Sequence, residues 1–144
     1  MSIREAQKTD LANILNLYAT VLDKGETLSL EAAELHFEKM MSYPNYTVFV
    51  AEKKDKIVGT FALLIMDNLA HAGTPSGVVE DVVVAENHQN QGIGKEMMQF
   101  AIDRCRDFGC YKMVLSSNLK RIEAHQFYEN LGFEKHGFSY RINL

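Results

Sequence analysis

Apolar positions change period several times along the chain, and each change marks an element. Ser2–Ala6 reads as a short opening strand. Thr9 then caps a run in which Leu11, Ile14, Leu15, Tyr18 and Leu22 recur at helical spacing. A second helix is predicted over Ser29–Met41, with Leu30, Ala33, Phe37 and Met40 on one side, and Gly25–Leu28 joins the two. Tyr46–Glu52 and Ile57–Met66 read as strands around the polar turn Lys53-Lys54-Asp55-Lys56, which makes them a hairpin. After a loop over Asp67–Ser76, Gly77–Ala85 is a strand. Gly92–Phe108 is an amphipathic helix with Ile93, Met97, Phe100, Ala101 and Cys105 inward, stopped by Gly109. Tyr111–Leu115 is a further strand and Ile122–Leu131 a helix closed by Gly132. Phe133–Lys135 and Phe138–Ile142 are expected to pair as a last hairpin about Gly137.

The order β α α β β β α β α β β predicts an α/β fold, a mixed central sheet of about six to seven strands with helices on both faces. The central strand–helix–strand unit is a right-handed crossover between parallel strands, whose ligands sit at the carboxyl ends of the strands. With 144 residues, no repeat and no linker, one domain over 1–144 is expected. The net charge of −4 and the lack of a basic run exclude sequence-independent nucleic-acid binding. No apolar stretch approaches a membrane span, and Met1-Ser2-Ile3-Arg4-Glu5 has no signal-peptide core. Cys105 and Cys110, the only two cysteines, read as free thiols of a reducing compartment, so a cytoplasmic protein is expected. No His, Cys and carboxylate set has metal-ligand spacing, and no metal is predicted.

Chemistry enters at Gln89-Asn90-Gln91-Gly92-Ile93-Gly94-Lys95, between a predicted strand and a predicted helix. A glycine turn there exposes backbone N–H groups at the positive end of the helix dipole, a seat for phosphate or pyrophosphate. A nucleotide-triphosphatase loop needs Ser or Thr after its lysine, and Lys95 is followed by Glu96. A dinucleotide fingerprint needs a third glycine early in the fold. The pattern present is Q-x-x-G-x-G, from Gln89 to Gly94. An ordinary tight turn would also use two glycines.

Three ordered segments carry a resemblance. They are Val79-Glu80-Asp81-Val82-Val83-Val84, the loop from Gln89 to Gly94, and Ser117-Asn118 followed by Ala124-His125-x-Phe127-Tyr128-x-x-x-Gly132-Phe133. Together they resemble the GNAT superfamily of acyl-CoA-dependent N-acetyltransferases. The resemblance implies acetyl-CoA as donor, its pyrophosphate on the backbone amides of Asn90, Gln91, Gly92, Ile93, Gly94 and Lys95, with Gln89 shaping the turn. It places the pantetheine arm beside Val82, Val83 and Val84, between strands that splay to admit it, with Asn118 bonding the arm from the other side. Lys95, Lys120 and Arg121 are available to phosphates, and equally read as solvated surface cations.

Joining an amine to a thioester needs a neutral amine, a polarised carbonyl, a stabilised tetrahedral oxyanion and a protonated leaving thiolate. Backbone N–H groups of Val82–Val84 suit the second and third tasks, and a local bulge would free one. The resemblance makes Tyr128 the acid for the thiolate; a core tyrosine with a backbone partner is the other reading. Glu80 is the candidate base, because a carboxylate inside an apolar strand is costly unless it is used or paired. Alternation puts Glu80 and Asp81 on opposite faces of the sheet. Some relatives use no side-chain base. His125, three residues before Tyr128, reads as a surface or satisfied histidine, and His71 as a possible lining of the acceptor mouth.

The acceptor site is expected from the second helix, the hairpin tip and the Asp67–Ser76 loop. Ser116–His125 and Phe138-Ser139-Tyr140-Arg141 resemble aminoalkylphosphonate N-acetyltransferases. Glu80–Val84 and Cys110-Tyr111-Lys112 resemble glucosamine-phosphate N-acetyltransferases. Both imply a small-molecule primary amine. The first half of the chain has no arginine cluster announcing an anionic one. Acetylation of a peptide or protein amine, and a non-catalytic acyl-CoA-binding module, are the alternatives. By resemblance a homodimer is expected, with Phe138 and Tyr140 available to its interface.

Overall fold

The computed structural model describes residues 1–144. The chain forms two compact units, Met1–Val114 and Leu115–Leu144. The elements of the first are β1 (Ser2–Glu5), α1 (Leu11–Leu17), α2 (Leu30–Met41), β2 (Tyr46–Lys53), β3 (Lys56–Met66), β4 (Ser76–Val84) and α3 (Ile93–Asp107). β5 (Met113–Leu115) leads into the second, which holds α4 (Ile122–Asn130). The sheet has five strands in the order β1-β2-β3-β4-β5. The first four pair antiparallel. β5 starts beside the start of β4, where Gly77 N donates to Lys112 O at 2.9 Å and Tyr111 N to Pro75 O at 3.0 Å.

Side-chain alternation in β2 divides the core between two faces. Val48 and Val50, with Ala62 of β3, pack against Leu11 and Ile14 of α1 and Ala33 and Phe37 of α2. Phe49 and Phe61 point the other way, to Phe100 of α3, with Phe49 ring centroids 5.2 Å from Phe61 and 5.1 Å from Phe100. Met97, Met98 and Ala101 of α3 are fully buried on that side. Gly59 of β3 makes room for α3: a Cβ there would lie 2.7 Å from Met97 Sδ. The predicted helices on both faces of the sheet are therefore present.

Three expectations change. The first predicted helix is α-helical only to Leu17 and continues as one π-helical turn, Tyr18–Leu22. Asp23 N there donates to Tyr18 O at 2.8 Å, and the Thr20 hydroxyl bonds back to Asn16 O. Over one turn an apolar pattern does not distinguish α from π winding. In α2, which Ser29 caps by accepting from Ala32 N at its Oγ, Leu30 was expected on the inner side and is exposed. The final hairpin is absent. Residues 133–144 form no strand, and Phe138, Tyr140 and Ile142 keep the alternation of a strand while almost wholly exposed. Alternation marks a segment that can pair; a ladder still needs a partner. This lowers the strand count to five.

Candidate active site

The strand that carries the candidate base is interrupted. Thr60 pairs with Val83 and Ala62 with Glu80, so Phe61 alone faces two residues, Asp81 and Val82. This is a β-bulge, and Asp81 takes the left-handed conformation at φ 53°. Strict alternation had put Glu80 and Asp81 on opposite faces, and the extra residue breaks that rule. Glu80 pairs with Ala62, hence lies on the α1/α2 side. Asp81 also acts on that side, close enough to Tyr18 and Tyr46 to raise both phenols. Burial pushes the Glu80 carboxyl above its ordinary value, and Asp81 adds to it. Burial likewise raises Asp81, and Asp23 adds to it.

Tyr18 and Tyr46 are the residues that reading the sequence missed. Tyr18 opens the π-turn, which packs against β4. Its phenol is raised mainly by burial and then by Asp81, and eased by the Thr60 hydroxyl. Tyr46 starts β2 on the same face. Helical periodicity marked Tyr18 as core, and nothing in the pattern set it apart.

After β4 a short turn at Glu86–His88 leads to the glycine loop. Gln89 Nε2 donates back to Val84 O at 3.1 Å, closing the loop on the strand it leaves. Asn90 and Gly92 are both left-handed, at φ 58° and 83°. Gly92 is the N-cap of α3 and supplies no side-chain cap, so the first amides of a fifteen-residue helix stay open. An added Cβ at Gly92 would meet nothing within 4 Å, so the glycine serves conformation and leaves open space above it. That arrangement fits a pyrophosphate. Lys53 was also missed. It ends β2 at the Lys54-Asp55 turn, whose two residues are both left-handed as a two-residue hairpin loop requires. Lys53 Nζ reaches Gln91 Oε1 at 3.2 Å, bringing a cation to the loop.

The hairpin tip therefore stands beside the glycine loop. The Asp67–Ser76 loop lies at the opposite end of the nine-residue β4, roughly 27 Å away at strand rise. His71 stacks there on Tyr111, ring centroids 4.6 Å apart. No group of three or more His, Cys, Asp or Glu side chains is placed to hold a metal ion.

The second unit holds Asn118 and Tyr128. Asn118 Oδ1 accepts from Lys120 N at 2.9 Å, an Asx turn leading into α4. His125 Nε2 donates to Asn118 O at 2.8 Å, so this histidine is satisfied and ties the loop to the helix that carries Tyr128. The Tyr128 ring packs edge-on against Phe127 and Phe133, at 5.1 and 5.6 Å. Burial pushes its phenol up, and the Arg121 charge partly offsets this, so it holds its proton at neutral pH. The Ser117 hydroxyl is buried with no partner.

A five-stranded mixed sheet, a bulged fourth strand and an uncapped glycine turn into α3 together describe an acyl-CoA acetyltransferase architecture. The family model for the acetyltransferase (GNAT) family matches residues 9–133, and the chain belongs to that family. It is an acetyl-CoA-dependent N-acetyltransferase. Among curated relatives, a Trypanosoma brucei brucei glucosamine 6-phosphate N-acetyltransferase is 28% identical over 144 residues, covering 100% of this chain and 96% of the relative. A Salmonella typhimurium aminoalkylphosphonate N-acetyltransferase is 28% identical over 138 residues, covering 96% and 88%. The crystal structure of an Arabidopsis thaliana glucosamine-6-phosphate N-acetyltransferase superposes with a TM-score of 0.86 at 25% identity, covering 99% of this chain and 97% of that one.

Proposed function

We propose that the chain transfers an acetyl group from acetyl-CoA directly to the primary amine of a small molecule, with residues 1–144 serving as one N-acetyltransferase domain. The observation that carries this is the sequence of bulge, open glycine turn and uncapped helix along one stretch, Glu80 to Lys95. When bound, acetyl-CoA supplies an activated acyl group, and this chain's residues do the rest. The amides from Asn90 to Lys95 hold its pyrophosphate while Gln89 keeps the turn closed, and Lys53 and Lys95 add charge. The backbone of Val82, Val83 and Val84 runs along the pantetheine arm, and Asn118 hydrogen-bonds the arm. Glu80 removes a proton from the ammonium, directly or through water. A C–N bond forms and the C–S bond breaks; Tyr128 gives its proton to the leaving sulfur and regains one from the nitrogen, which sheds its second proton on becoming an amide. The freed bulge amides stabilise the oxygen charge that develops between these events.

The raised Glu80 carboxyl supports its role as base, since a weaker acid is a stronger acceptor of the amine proton. The raised Tyr128 phenol supports its role as acid, since the proton is retained until the thiolate demands it. The free cysteines agree with a cytoplasmic setting. The test is thiol release from acetyl-CoA over a panel of primary amines: amino sugar phosphates, aminoalkylphosphonates, polyamines, amino acids, aminoglycosides and a peptide N-terminus. Amine-dependent release is expected with at least one small amine. Release only with the peptide would reassign the acceptor, and acetyl-CoA binding with no release would leave a binding module.

A further inference from the structure

A cavity of about 370 Å³ opens within the first unit, and none of the residues that line it has a part in the reaction proposed above. Its volume is in the range of small-molecule sites. The floor is the α3 face of the β2–β3 hairpin, where Phe49, Leu63 and Ile65 are buried. Glu80 belongs to the other face of the sheet. The glycine loop is remote as well. Thr47, also in the lining, lies six residues along β2 from Lys53, roughly 20 Å at strand rise.

Two charged residues line the cavity, Glu5 and Arg104. Glu5 pairs with Phe49 across β1 and β2, so both side chains share the α3 face. The preceding Arg4 points the other way and is engaged by Asp10 and Glu52. The Glu5 carboxylate, at the exposed rim, has no hydrogen bond or ion pair; only its backbone carbonyl accepts, from Arg4. On α3, Arg106 is exposed and pairs with Asp103 at 3.1 Å. Arg104 is partly buried, its guanidinium carbon 5.6 Å from the Phe108 ring centroid, and no protein oxygen accepts from it. The helix dipole favours a cation in the last turn, which accounts for Arg104 and Arg106 alike. It does not account for a guanidinium partly withdrawn from water with donors and no acceptor, a cost that a ligand would recover. Glu5 and Arg104 thus share one cavity without meeting, and a single occupant can bridge them.

We propose that this cavity is a second small-molecule site, separate from the reacting centre, and that it takes a zwitterion with an apolar body, the chemistry of an apolar α-amino acid. The carboxylate lies on the Arg104 fork, which matches it with two parallel hydrogen bonds. The ammonium lies toward Glu5. The side chain covers Phe49, Leu63 and Ile65, beside Phe108. A phosphate would bring two negative charges to one cation and one carboxylate, and a hydrocarbon would leave both charges unpaired. Nothing in this depends on acetyl transfer.

The experiment titrates the protein, free of acetyl-CoA, in a calorimeter with L-phenylalanine, phenylacetate and 2-phenylethylamine, which carry both charges, the anion alone and the cation alone. Phenylalanine is expected to bind about tenfold more tightly than either of the others. Arg104→Gln should weaken phenylalanine and phenylacetate about tenfold and leave phenylethylamine unchanged. Glu5→Gln should weaken phenylalanine and phenylethylamine and leave phenylacetate unchanged. The two substitutions lie on different elements, and the wild-type ranking needs neither, so a variant that fails to fold does not remove the test. Glu80→Gln should bind phenylalanine as the wild type does. Binding lost in Glu80→Gln and kept in Arg104→Gln would place the amino acid at the acceptor site, overturning the proposal and leaving the acetyltransfer reading standing. A wild type that binds none of the three, or binds phenylalanine no better than the singly charged pair, overturns it as well.

Discussion

At the scale of single residues, protonation state does most of the work. Tyr128→Phe removes the proposed thiolate acid and is expected to lower kcat about a hundredfold. Because burial raises the phenol, the wild-type rate should show no alkaline fall from this group until above its ordinary value of about 10. Glu80 is shifted upward too, so activity should fall on acidification at a pH above the ordinary glutamate value of about 4.3, and Glu80→Gln should abolish that limb. Asp10 behaves oppositely. Arg4, and then the Gln7 amide, hold its carboxyl below the usual range, although burial opposes them. A lowered carboxyl stabilises the fold above its unfolded-state value, about 3.9, and that stability disappears as pH falls through the folded-state value. Asp10→Asn should therefore cost about 1–2 kcal/mol at pH 7 and progressively less below pH about 4, read by urea unfolding across pH. Gln89 was legible as the residue that closes its turn because it sits in a motif, and a motif is likewise what singles out Tyr128 as a candidate. Tyr18, Tyr46 and the orientation of Asp81 were not, since each depends on which strands pair and where the pairing slips.

Elements were read well wherever periodicity ran long, as in α2, α3 and the β2–β3 hairpin. Reading failed where geometry departs from the period: the π-turn after α1, the bulge in β4, and a tail whose alternation finds no ladder. Two glycines separate conformational need from packing need. Gly92→Ala meets no atom but must hold φ 83°, which costs an L-residue about 1–2 kcal/mol. It should raise the KM for acetyl-CoA with a smaller effect on kcat, because it disturbs the turn rather than the reacting end. Gly59→Ala has an ordinary backbone but collides with Met97 and the Val83 carbonyl. Overpacking there should lower stability by about 1–3 kcal/mol, measured by denaturant unfolding, and shift α3 together with the strand that bears Val83.

For the whole molecule, the exposed tail is the feature that a lone chain explains least. Phe138, Tyr140, Ile142 and Leu144 leave an apolar row in water, and such rows mark association surfaces. Sedimentation at micromolar concentration is expected to give a dimer, and Phe138→Ser with Tyr140→Ser a monomer. A monomeric wild type would remove the homodimer from the reading. No helix is long and apolar enough to cross a membrane.

The packing of Cys105 has a practical consequence. Its sulfur fills the space that a side chain at Gly77 would need, and burial, with Cys110 nearby, pushes the thiol up to about 12. At the mildly alkaline pH of a colorimetric thiol titration almost none of it is thiolate, the form that reacts. Cys110, only half-buried, is left as the single group able to consume reagent. The native protein should therefore give a blank of at most one equivalent per chain, and any colour beyond that stoichiometry counts coenzyme A released by turnover.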